Sequence, residues 1–151
     1  MTPNQNFTES QSTADPRRLG RQLALQFLYQ LDIQDGANLD QMHRFLTEYS
    51  GDLSVRQLAA KWIRGVWEAR VRLDELIGQI CENWDLSRIT QVDRSNLRLA
   101  VYQLIECPEV PPKVVINEAV ELAKIFSTAQ APAFVNGILD AIRKNTLSWA
   151  E

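Results

Sequence analysis

The chain has 151 residues, of which 45% are hydrophobic and 23% are charged. This composition is typical of a soluble globular protein with one domain or two small helical subdomains, and it excludes disorder over most of the length. The formal net charge of −3 excludes nucleic-acid binding by bulk attraction. Any RNA-binding surface must therefore concentrate positive charge locally, or a partner must supply the rest.

The sequence offers little for catalysis, metal binding or membrane insertion. Cys81 and Cys107 belong to no CxxC pair, and His43 is the single histidine, so no zinc set can be assembled and no metal or cofactor is expected. No P-loop, GxGxxG or GxSxG motif is present, and we predict no catalytic residue. No run approaches about 18 apolar residues, the length of a membrane helix. With no signal pattern at the N-terminus, a cytoplasmic location is the default expectation.

The first predicted element after a polar tail is a helix. Residues 1–14 are too polar to offset their ordering entropy and are predicted to be disordered. Asp15 is expected as the N-cap and Pro16 as the first helical residue, and Asp35-Gly36 ends the helix. Its apolar stripe follows i, i+3, i+4, i+7 spacing and comprises Ala24, Phe27, Leu28 and Leu31.

The rest of the chain also follows helical signals. A capping box at Thr90-x-x-Asp93 is predicted to open a helix that stops at Cys107-Pro108. The other predicted helices cover about residues 39–49, 55–83 and 113–126, with a connector at 84–89 and a last helix opened by Pro132. Since no alternating strand pattern is visible, the predicted fold class is all-α.

Three arginines at the start of the first helix stand out. Arg17, Arg18 and Arg21 crowd its first turn and a half. Positive charge there opposes the helix dipole and costs about 0.3–1 kcal/mol per exposed charge. One explanation is that the arginines meet a polyanion, and the alternative is a tolerated, solvated basic cluster.

A helical wheel predicts where these arginines point. At about 100° per residue, Arg18, Gln22, Leu25 and Tyr29 fall on one flank, clear of the apolar stripe. We interpret this flank as accessible, with guanidinium groups for phosphate and a ring for base stacking, as suits single-stranded RNA. Alternatively, Tyr29 packs on a neighbouring helix or on a protein partner.

Gly137 in the last predicted helix is a weaker signal. Glycine inside a helix costs about 1 kcal/mol relative to alanine. The residue would allow close approach of a ligand or, as the more common alternative, tight packing between helices. Phe134 is predicted at the edge of the apolar stripe and Asn136 well outside it.

Four segments, in order, resemble the NusB family of transcription antitermination proteins. The likeness covers about residues 16–144. The segments are Arg17-Arg18-x-x-Arg21 with Leu25-Gln26-x-Leu28-Tyr29; Val92-Asp93-Arg94 with Leu97 to Tyr102; Pro112 to Lys124; and Phe134 to Asp140.

This resemblance implies a fold and a function. It implies a NusB-like domain at residues 15–147, with about seven helices in two three-helix subdomains (about 15–83 and 84–147) that share a core. It implies binding to boxA of nascent ribosomal RNA together with ribosomal protein NusE, within an antitermination complex on RNA polymerase. A homodimer is possible in this family, and neither catalysis nor a cofactor belongs to its role.

Carried over by position, the resemblance also implies site residues. Arg17, Arg18 and Arg21 match the family's RNA-contacting start, and Phe126 and Phe134, with the loop between them, are similar to its second RNA-facing patch. Tyr29 and Asp93 match positions at the NusE contact. The loop 127–133 departs from the acidic and basic residues that relatives often carry there. Two alternatives remain open: a helical adaptor that binds protein without RNA, and a stand-alone relative of the RNA-binding domain of RNA cytosine methyltransferases.

Overall fold

The computed structural model describes the backbone of residues 15–81 and 89–150 and the side chains of residues 15–81 and 89–145. Within these ranges every regular element is helical, which confirms the all-α prediction. The elements are α1 (Pro16–Ile33), a 3₁₀ helix (Leu39–Gln41), α2 (Met42–Tyr49), α3 (Leu53–Ile80), α4 (Gln91–Glu106), α5 (Pro112–Phe126) and α6 (Ala131–Ala150). None of these helices is long and apolar enough to cross a membrane.

The chain divides into two compact units within α3. The first unit ends at Trp67, and the second begins at Glu68. The subdomain boundary predicted near residue 83 lies outside the described residues, as do the predicted tail at 1–14 and all of the predicted connector except Ile89. That boundary therefore stays a prediction.

Both ends of α1 follow from local chemistry. Asp15 Oδ1 accepts a hydrogen bond from the Arg17 backbone N–H at 3.0 Å, and Pro16 occupies the first turn, where its missing N–H costs nothing. At the other end, Asp35 and Gly36 have φ values of 51° and 80°, which stop the helix. The Gly36 N–H then donates to the Leu31 carbonyl at 2.9 Å. The predicted cap and stop are thus confirmed.

Helix α1 is buried on every side along its middle. All residues from Leu19 to Leu28 are buried, and the predicted stripe residues Ala24, Phe27, Leu28 and Leu31 are at most 3% exposed. Helix α2 packs against it, with the Phe27 and Phe45 ring centroids 5.2 Å apart. A helix that is buried on all its faces lies within a hydrophobic core, so only its two ends reach solvent.

The second unit joins the C-terminal part of α3 to α4, α5 and α6. The Thr90 side chain accepts from the Asp93 N–H at 3.2 Å, which confirms the N-cap half of the predicted capping box. Asn96 Nδ2 donates to the Ala119 carbonyl at 2.9 Å and so links α4 to α5. Arg98 forms a two-pronged ion pair with Asp74, each N···O distance being 2.7 Å. Because two parallel hydrogen bonds join the guanidinium and the carboxylate, the pair fixes the orientation of both groups in addition to their charge attraction.

The turn after α1 generates a stability prediction. A Cβ on Gly36 would lie 2.9 Å from Trp67 Cζ2, and its φ of +80° is costly for any L side chain. We expect Gly36→Ala to lower the free energy of unfolding by about 1–3 kcal/mol in urea titrations. Gly51→Ala is the matched control, because a Cβ there meets nothing within 4 Å. Equal stability of the two variants would contradict this account.

Candidate functional site

Arg17 and Arg18 lie on the exposed first turn of α1. Both side chains are exposed, and that turn of α1, described in full, contains no acidic residue. The Arg17 side chain is 52% exposed and sits 3.6 Å from a carboxylate oxygen of Asp15, a surface ion pair that contributes little. The two guanidinium groups therefore add positive charge to the already positive end of the helix.

Arg21 lies one turn further in and is in a different environment. It is only 4% exposed, and its guanidinium carbon is 5.2 Å from the centroid of the Trp62 ring. This is cation–π geometry. Gly20 makes room for the indole, since a Cβ at Gly20 would be 3.3 Å from Trp62 Cζ3. Arg21 is thus a buried, packed residue one turn further along α1 than the exposed Arg17 and Arg18.

The accessible flank predicted for α1 is wrong beyond the first turn. Gln22 and Leu25, which the wheel placed clear of the apolar stripe, are 2% and 1% exposed. The helical wheel correctly predicted the most buried face of α1, but it cannot show that the other faces are buried as well. Oε1 of Gln22 receives no hydrogen bond from any described residue, so its burial carries a desolvation cost.

The residues predicted at the partner contact belong to different units. Tyr29 is half-buried near the C-terminal end of α1. Asp93 is 6% exposed in the first turn of α4, where the positive end of the helix dipole stabilises a carboxylate. Its Oδ1 accepts no hydrogen bond within the described part of the chain. Asp93 therefore keeps an acceptor for which the described residues supply no donor.

Phe126 and Phe134 lie at the two ends of one short loop. Phe126 is the last residue of α5 and Phe134 is in the first turn of α6, and both rings are half-buried. The loop is tied at both sides: the Ser127 N–H donates to the Ala123 carbonyl at 3.0 Å, and the Ala131 N–H donates to the Thr128 carbonyl at 3.1 Å. The structure thus holds two partly accessible rings beside an ordered, exposed loop.

Gly137 is not a helix-packing residue. It is exposed, and a Cβ built on it would meet nothing within 4 Å. Of the two alternatives predicted for this glycine, tight packing between helices is therefore wrong for the described structure. Asn136 beside it is also exposed, as predicted.

Two described groups, Cys81 and Tyr102, have raised pKa values, which favour their neutral forms. Burial raises the pKa of the Cys81 thiol. Burial, and then the nearby Cys107 and Glu106, raises the pKa of Tyr102. A protonated thiol and a protonated phenol are poor nucleophiles. Among the described residues there is also no cluster of three or more His, Cys, Asp or Glu side chains that could hold a metal ion.

These features define a helical protein with a basic helix entrance in its first unit and, in its second unit, two partly accessible rings beside a loop. The NusB family model matches residues 18–144 of the sequence. The chain therefore belongs to the NusB family. It is 44% identical over 127 residues to the transcription antitermination protein NusB of Geobacter sulfurreducens, which covers 83% of this chain and 92% of that protein.

Solved structures of family members share the fold. NusB of T. maritima superposes with a TM-score of 0.76 at 38% identity, covering 86% of this chain and 92% of that one. A crystal structure of the antitermination factors NusB and NusE in complex with dsRNA matches with a TM-score of 0.78 at 26% identity, covering 86% of this chain and 97% of the other. The NusB-like fold expected from the sequence is thus confirmed.

Sequence reasoning missed the environment of Arg21. Trp62 was not predicted as the partner of Arg21, because the two residues are 41 positions apart and only the folded chain brings them together.

The two environments of the arginines predict different effects on stability. Arg21→Ala removes a buried cation–π contact and the packing of its stem, so we expect a loss of about 1–3 kcal/mol in unfolding free energy. Arg17→Ala, on the exposed first turn, should change it by less than about 0.5 kcal/mol. Chemical denaturation followed by circular dichroism compares the two. A larger loss for Arg17→Ala would refute the assigned environments.

The open position of Gly137 predicts a stabilising substitution. A methyl group there meets no described atom and raises helix propensity, so Gly137→Ala should increase the unfolding free energy by up to about 1 kcal/mol. Thermal unfolding of the full chain measures this as a higher Tm. A lower Tm would mean that the space beside Gly137 is occupied in solution.

Proposed function

We propose that this chain is an RNA-binding transcription antitermination factor that binds boxA of nascent ribosomal RNA together with ribosomal protein NusE. It acts in the cytoplasm, within an antitermination complex on RNA polymerase, by binding and not by catalysis. The observation that carries the proposal is the pair of exposed arginines, Arg17 and Arg18, in a helix turn without acidic residues. Membership of the NusB family, and the solved complex of relatives with NusE and dsRNA, support it.

Each of the two units supplies its own group of proposed RNA contacts. Arg17 and Arg18 bind phosphate oxygens at the entrance of α1, where the helix N-terminus adds its own positive potential. Arg21, buried one turn further along α1, adds positive charge, and its contact with the Trp62 ring fixes the position of this helix start. Phe126 and Phe134 present ring faces to unstacked bases, which suits single-stranded RNA.

The proposed partner contacts are Tyr29 in the first unit and Asp93 in the second unit. Half-buried tyrosine is a common anchor in protein interfaces, because it offers a large rigid ring and one hydrogen-bonding group. Asp93 offers an acceptor that no described residue satisfies. A basic partner also explains how a chain of net charge −3 works on RNA, since the partner supplies positive charge that this chain lacks.

Salt dependence tests the arginine contacts. For single-stranded RNA, each lost phosphate contact should flatten the plot of log affinity against log salt by about 0.7. We expect Arg18→Glu to weaken binding of boxA RNA and to flatten this slope, as measured by fluorescence anisotropy with and without NusE. Arg72→Glu is the control, because Arg72 is an exposed arginine on α3.

The same titration separates the alternatives. We expect weak RNA binding by the isolated chain and clearly tighter binding with NusE. An Arg18→Glu variant with unchanged affinity and slope would rule out the arginine surface. Binding of NusE with no RNA affinity in either state would favour a protein-only adaptor. Parallel titrations with double-stranded RNA decide which form is preferred.

A further inference from the structure

A small cavity opens in the second unit, between the C-terminal part of α3 and the start of α4. Its volume is about 240 Å³, and its described walls, all within this unit, are Asp74, Ile77, Ile89, Arg94 and Leu97. At about 30 Å³ for each water, the space holds about eight water-sized groups. The cavity is therefore smaller than the sites of drug-sized ligands, which occupy about 300–1,000 Å³.

The inner part of the cavity is apolar. Because Leu97 and Ile77 are only 0% and 4% exposed, they form its floor. Ile89 is half-buried directly before the Thr90 cap of α4, and it lies at the mouth. Aliphatic walls are stabilised when an apolar group displaces the water beside them. The floor of the cavity thus favours a hydrocarbon group.

The two charged walls differ in what they already bind. Both carboxylate oxygens of Asp74 accept hydrogen bonds from Arg98, each at 2.7 Å, so the charge of Asp74 is compensated. Arg94 is half-buried, and its side chain forms no hydrogen bond or ion pair with any described residue. The adjacent carboxylate, Asp93, is not among the described walls. Arg94 consequently gives the cavity a positive charge that no described wall compensates.

Helix α4 holds Arg94 beside the apolar floor. The Arg94 N–H donates to the Thr90 carbonyl at 2.9 Å, near the start of the helix, where the helix dipole is positive. Arg94 and Leu97 are three positions apart and are therefore neighbours on one face of α4. A ligand with an apolar group against Leu97 can thus place an anionic group beside the guanidinium of Arg94.

We propose that this cavity binds a small organic anion, namely a carboxylate with a short hydrocarbon tail. The carboxylate accepts charge-assisted hydrogen bonds from the Arg94 guanidinium, and the tail packs on Leu97 and Ile77. A few well-placed polar groups on an apolar pocket are typical of small-molecule sites. No wall of the cavity is a residue proposed above to bind RNA or NusE, so this inference goes beyond the proposed function and does not depend on it.

Hexanoate is a suitable probe, because it has about as many non-hydrogen atoms as the cavity holds water-sized groups. Titration of the isotope-labelled full chain, followed by NMR, should shift the backbone amides of Asp74, Ile77, Ile89 and Leu97 in a saturable way. Hexanol lacks the charge and acetate lacks the tail, so each should bind at least about fivefold more weakly. Equal binding of hexanoate and either of these compounds would contradict the proposed ligand class.

A variant of Arg94 tests the anion contact. Arg94→Gln removes the charge, so it should raise the Kd for hexanoate at least about fivefold and change the Kd for hexanol less than about twofold. The variant should fold normally, because the Arg94 side chain pairs with no described residue. Arg72→Gln is the matched control, because Arg72 is an exposed arginine on α3 and is not a described wall. Its effect on the Kd should stay below about twofold, since solvent screens its charge.

Other outcomes would overturn the inference. The absence of saturable shifts at the wall amides would remove the site. Equal weakening by Arg94→Gln and Arg72→Gln would mean that hexanoate follows the net charge of the chain and not the cavity. If hexanoate does not bind and Arg94→Gln weakens the binding of NusE, the cavity receives a side chain of a protein partner. The RNA titrations are separate measurements, so the proposed function stands or fails independently of these results.

Discussion

Helix α1 is buried on every side from Leu19 to Leu28, and this constraint organises the first unit. A helix enclosed in this way cannot present a continuous recognition face. Its ends alone reach solvent, and the first turn carries the exposed Arg17 and Arg18. The charges of these two arginines oppose the helix dipole, at a cost of about 0.3–1 kcal/mol for each exposed charge. An anionic ligand at this turn would offset that cost.

The glycines of this protein differ in whether packing requires them. Gly20 and Gly36 each make room for a tryptophan, Trp62 and Trp67, and both are explained by contacts in the first unit. Gly137 has no such explanation, because a side chain there would meet open space. Glycine at this position makes the last helix about 1 kcal/mol less stable than alanine would. The contrast separates a glycine required by the fold from one that the fold does not require.

Local signals in the sequence determined the elements of this protein. The Asp15 cap, the Thr90 capping box and the apolar stripe of α1 act through neighbours within one or two turns, so they are visible in the chain itself. The motifs shared with the NusB family likewise indicated the fold and the candidate residues. Burial, however, depends on every element that surrounds a residue.

Only the tertiary structure could therefore place Arg21 against Trp62, which is 41 positions away, and show that Gln22 and Leu25 are buried. The same holds for the exposure of Ile33 and Leu39, which periodicity alone cannot tell from burial. The sequence determined which faces are apolar and where charge collects. The packing of helices around α1 decided which of those residues a ligand can reach.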